Sequence, residues 1–70
     1  MINVIKFLED ITLGTGGRNI RKELYIEFHA GETYNGKLIN CFKTYCDIIY
    51  DDELVYGVPR EVIQNLGPAV

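Results

Sequence analysis

Asp47, Asp51, Asp52 and Glu53 put four carboxylates within seven residues, the densest acidic run in the chain. Grouped oxygens of this kind can hold a divalent cation or offer an acidic face to a basic partner. A calcium loop of the EF-hand type spaces its oxygen ligands at fixed odd positions around a glycine at the sixth. The run lacks that frame, so no metal is assigned to it. The plain alternative is a solvated turn whose charges keep a small protein in solution.

Nucleophilic chemistry is poorly provided for. Serine is absent, which removes a Ser-His-Asp triad. Cys41, Cys46 and His29 are the remaining soft groups, and nothing beside them in sequence marks a lowered thiol pKa. Two cysteines and one histidine are too few for a zinc site. Both cysteines read as small apolar side chains on adjacent strands, and His29 as a surface residue. No catalytic residue and no cofactor is assigned.

The stretch "LGTGGRNIRK", Leu13 to Lys22, combines three glycines with Arg18, Arg21 and Lys22. A phosphate loop needs its glycines to lead into a helix N-terminus, where free N–H groups bind the anion. Here they lead into "ELYIEF", a strand pattern. The stretch is therefore a contact loop with a local positive patch. Five tyrosines supply the other candidate contacts. Tyr34, Tyr50 and Tyr56 lie near expected strand ends, where amphipathic rings serve interfaces or cap a thin core.

The elements that must hold these groups are short. "MINVIKFLEDITLG" fits a strand through Ile5, Phe7, Ile11 and Leu13, and a helix through Val4, Leu8 and Ile11 about as well. Its β-branched content and the glycines behind it favour the strand. "LYIEFH" alternates, with Leu24, Ile26 and Phe28 facing one way and Tyr25, Glu27 and His29 the other. "YNGKLINCF", "CDIIY" and "LVYGV" read as three more strands, with Gly36 a bulge or a point of close approach. Pro59 stands where a single 3₁₀ turn would begin, and residues 66–70 read as a frayed tail. The sum is one all-β domain over residues 1–70: five strands in a small barrel, since closure removes exposed edges.

Over roughly residues 24–63 the pattern resembles SH3-like small barrels. Gly57, Val58, Pro59, Val62 and Ile63 are similar to the last strand and 3₁₀ turn of SH3 domains. Tyr34-Asn-Gly-Lys-Leu and Tyr50-Asp-Asp resemble Tudor-type barrels, and the Gly31–Gly36 spacing resembles part of the Sm pattern. The Tudor likeness implies an aromatic cage at Tyr34 and Tyr50, flanked by Asp51 or Asp52. The chain departs from peptide-binding SH3 domains in having no tryptophan and no acidic Ala-Leu-Tyr-Asp-Tyr-type segment. Of that ligand groove only Pro59 carries over.

Function is expected to follow from binding. The net charge of −3 disfavours general nucleic-acid affinity, which rests on phosphate neutralisation. The first expectation is a non-catalytic protein-binding module, an accessory or inhibitor protein that takes a basic or extended partner. Its contacts would be Tyr34, Tyr50, Asp51, Asp52, Tyr56 and Pro59, with Arg18, Arg21 and Lys22 in the first loop. The alternative is a Tudor- or Sm-like nucleic-acid binder using that basic loop. A thin core also suits homo-oligomers. With neither a signal-peptide pattern nor an apolar membrane span, a cytoplasmic location is the expectation.

Overall fold

The computed structural model describes residues 1–15 and 25–70. Arg18, Arg21, Lys22 and Leu24, and with them most of the glycine-rich contact loop, lie outside the described residues. The described chain is all-β: β1 (Asn3–Phe7), β2 (Ile11–Gly14), β3 (Tyr25–Phe28), β4 (Thr33–Ile39), β5 (Tyr45–Tyr50), β6 (Glu53–Pro59), a 3₁₀ turn (Arg60–Val62) and β7 (Ile63–Pro68). Neighbouring strands run β6-β5-β4-β1-β7 in one sheet, and β2 pairs with β3 in a second. An antiparallel bridge, Thr15 to Val55, joins the hairpin to β6. Neither sheet closes on itself, so the five-strand expectation becomes seven strands in two sheets.

Two local facts explain the difference. The N-terminal run is two strands, because the chain breaks at Leu8–Asp10. Ile5, Phe7 and Leu13 are buried there and Ile11 half-buried, whereas Leu8 is 48% exposed. The period-two reading was therefore the right one, and Glu9, its only misfit, falls in the break. At the other end, residues 66–68 belong to β7, paired with β1 from Phe7↔Ile63 to Asn3↔Pro68. The Ala69 N–H also donates to the Ile2 carbonyl at 2.8 Å. The expected frayed tail is instead an edge strand. Its exposed Gln64, Asn65 and Leu66, and its closing Gly67 and Pro68, are tolerated only at an edge.

Ile5, Phe7, Leu13, Phe28, Ile48, Val55, Val58 and Val62 form the core. Gly36 lets β4 lie close over it. A Cβ there would stand 2.8 Å from Ile48 Cγ2 and 3.2 Å from the Ile49 carbonyl oxygen. Gly36→Ala should therefore destabilise the domain by about 1–3 kcal/mol, the usual range for overpacking. Urea unfolding measures this, and an unchanged midpoint would show that the strand yields without cost.

Asp51 and Asp52 form the two-residue connection between β5 and β6, with φ of 51° and 60°. Two positive φ values in such a loop are those of a type I′ turn, which suits glycine best at its second position. Side chains other than glycine disfavour this region, though aspartate tolerates it better than most. Asp52→Gly should raise stability by about 0.5–1 kcal/mol, or roughly 2–8 °C in Tm for a domain of this size. A lower Tm would mean that the Asp52 side chain makes a compensating contact.

Candidate functional site

Of the four clustered carboxylates, only Asp51 and Asp52 are solvated. Asp47 and Glu53 are buried. Asp47 Oδ1 accepts the Gly57 N–H at 3.0 Å, and its Oδ2 accepts from Asn40 Nδ2 at 3.3 Å. Both partners sit at backbone irregularities, Asn40 at φ 45° and Gly57 at φ 65°. One carboxylate thus pins the end of β4 and the bulge in β6 to β5. Asp47→Ala should cost about 1–3 kcal/mol by leaving these donors without their acceptor. Asp47→Asn keeps one acceptor oxygen and should recover part of the loss in thermal unfolding. Equal losses for the two variants would point to the charge instead.

Tyr34 and Tyr50 are half-buried and pack with Phe28 and Phe7 at one end of the core. Their own rings meet edge to face, with centroids 5.6 Å apart. The Tyr34 hydroxyl accepts the His29 N–H at 2.8 Å and donates to Glu32 Oε2 at 3.1 Å. Burial first, and then the Glu32 carboxylate, push its pKa above the ordinary tyrosine value, against the lowering effect of the His29 bond. His29 is exposed, with Nδ1 4.0 Å from Asp10 Oδ1, and the same carboxylate oxygen accepts the Ala30 N–H at 2.8 Å. Among the described residues no three His, Cys, Asp or Glu side chains converge as metal ligands. No helix among them is long and apolar enough to cross a membrane.

At the far end of β5, about 17 Å away by strand rise, a different surface forms. Phe42 and Tyr45 are 52% and 40% exposed, yet their rings lie together at 4.8 Å with a 31° tilt. The loop bearing them is fastened by three bonds. Phe42 N–H donates to the Tyr45 carbonyl at 2.8 Å, Arg60 N–H to the Thr44 carbonyl at 2.9 Å, and Arg60 Nη1 to the Phe42 carbonyl at 2.7 Å. Pro59 pairs with Tyr45 across the β5–β6 ladder. Beside the rings an open cleft of about 360 Å³ is lined by Lys43, Thr44, Pro59, Arg60 and Glu61.

The expected contact residues therefore separate. Pro59 belongs to this aromatic and cationic face, Tyr56 stands exposed on β6, and Asp51 and Asp52 lie at the other end of β5. Phe42, Tyr45 and Arg60 escaped sequence reasoning. The signal available was two aromatics flanking a two-residue Lys-Thr connection, which places both rings on one rim. No family model matches the chain, and no curated protein or solved structure matches it either.

Proposed function

We propose that the protein is a non-catalytic binding module built as an SH3-like barrel, with the Phe42–Tyr45–Pro59–Arg60 face as its contact surface for an extended protein segment. The order β6-β5-β4-β1-β7, with a 3₁₀ turn before β7, supports that architecture. So does the β2–β3 hairpin, which leans on β6 where such barrels carry their long first loop. The observation that carries the function is the exposed ring pair, held in place before any partner arrives. Rings ordered in advance lose little conformational entropy on binding, which favours them as anchors. Arg60 and Lys43 beside them suit a segment that carries carboxylates next to apolar residues.

A displayed peptide library selected on the immobilised protein tests this reading. Recovery of a shared aromatic- or proline-containing acidic motif is the expected result, and no enrichment would count against it. The second reading, single-stranded nucleic acid, draws on the same rings as a stacking platform with two cations beside them. Oligonucleotide binding that falls steeply with salt would favour it.

A further inference from the structure

We infer that Cys41 and Cys46 form a cross-strand pair that a small disulfide of the glutathione type closes into an intramolecular bond. The backbone makes the argument. The β4–β5 register runs Lys37↔Ile49, Leu38↔Ile48, Ile39↔Asp47, and continued unchanged it would set Cys41 opposite Tyr45. Asn40, at φ 45°, takes up one residue. The next bond is Phe42 N–H to the Tyr45 carbonyl, which brings Cys41 opposite Cys46 at a non-hydrogen-bonded position. Cα atoms at such positions are about 4.5 Å apart, inside the span of about 4.4–6.8 Å that disulfides occupy. Cβ atoms there lie about 4.5–5.5 Å apart, so closing the bond asks for a movement of about an ångström or less in a connecting loop. Cys41 also acts on the Cys46 thiol as a neighbouring group.

Exposure assigns the order of events. Cys41 is open to solvent, whereas Cys46 is 2% exposed. The Cys41 thiolate attacks one sulfur of the small disulfide and releases one small thiol, leaving a mixed disulfide. Cys46 then loses its proton to solvent and attacks the Cys41 sulfur, expelling the second small thiol. Two protein thiols and one small disulfide become one protein disulfide and two small thiols. The second step is slow near neutrality. Burial, then the neighbouring Cys41 thiol, raise the Cys46 thiol to about 11, with Asp47 adding to this and Arg60 opposing it.

The test treats the reduced, folded full-length chain with oxidised glutathione and follows intact mass. The expected product is a monomer lighter by two hydrogens, with peptide mapping joining residues 41 and 46. A mixed disulfide should precede it and resolve roughly tenfold faster per pH unit, as the Cys46 thiolate fraction rises. Cys46→Ala should stop at the mixed disulfide, and Cys41→Ser should stay unmodified. A wild-type reaction that halts at the mixed disulfide, gives disulfide-linked dimers, or closes only in denaturant would overturn the proposal. On the functional reading above, the bond would also stiffen the loop bearing Phe42 and Tyr45. The mass readout uses no binding partner, so failure of one reading is distinguishable from failure of the other.

Discussion

Phe28→Ala should lower the stability of the folded chain by about 3–5 kcal/mol, a large share of what a domain of this size has. Phe28 is buried at the meeting point of the two sheets' rings. It stacks on Phe7 at 4.3 Å, and meets Tyr34 at 4.9 Å and Tyr50 at 5.6 Å edge-on. It sits on β3, which among the described residues pairs with β2 only, so this side chain, with Leu13 and the Thr15–Val55 bridge, holds the hairpin against the larger sheet. A domain of 70 residues has roughly 4–10 kcal/mol of total stability to lose. Tyr56→Ala, at an exposed ring on β6, should change stability by no more than about 0.5 kcal/mol. Circular dichroism against urea separates the two. A Phe28→Ala midpoint near wild type would mean that Phe7, Tyr34 and Tyr50 collapse into the space, and that the ring cluster is less tightly specified than its geometry suggests.

The same cluster shows what the sequence could and could not disclose. Alternation along Tyr25–Phe28 correctly turned Ile26 and Phe28 inward, because a two-residue period needs only local information. The 3₁₀ turn after Pro59 was legible for a similar reason: proline fixes φ and suits a first turn. Strand β7 was not legible. Its Gln64, Asn65 and Leu66 are all exposed, so no buried face wrote a period into it. What holds it is backbone pairing with β1, and backbone hydrogen bonds leave little trace in side-chain type.

Asp47 was misplaced for a related reason. Beside Asp51 and Asp52 it looks like part of one acidic turn. Ten residues further along the hairpin, however, the Tyr56–Gly57 bulge turns a backbone N–H toward it, and that geometry is set by the pairing of the two strands. Tyr34 and Tyr50 were read both as contacts and as caps of a thin core, and pattern alone could not choose. Both rings are half-buried and pack against the core cluster, which leaves part of each open to solvent. A further contact candidate lies on the Phe42–Tyr45 loop, where exposure and three hydrogen bonds coincide.

Tyr45→Ala should weaken binding of a selected peptide by tenfold to a hundredfold, about 1.4–2.8 kcal/mol, if that loop is the contact face. Arg60→Ala should cost a similar factor for two separable reasons. It removes a cation from the cleft, and it frees the Phe42 carbonyl that Nη1 now holds at 2.7 Å. Arg60→Lys retains the charge but loses the planar fork, so it isolates the second effect. Asp51→Ala with Asp52→Ala, at the opposite end of β5, should leave affinity within about threefold, since exposed charges distant from a contact face act weakly at physiological salt. Tyr45 is part-exposed, and its variant should melt close to wild type, so a lost affinity cannot be assigned to unfolding. The reverse pattern, with the aspartates essential and Tyr45 dispensable, would move the contact surface to the acidic turn. An Arg60→Lys variant that binds as wild type would show that charge alone suffices there, and that the seating of Phe42 by the guanidinium is incidental to recognition.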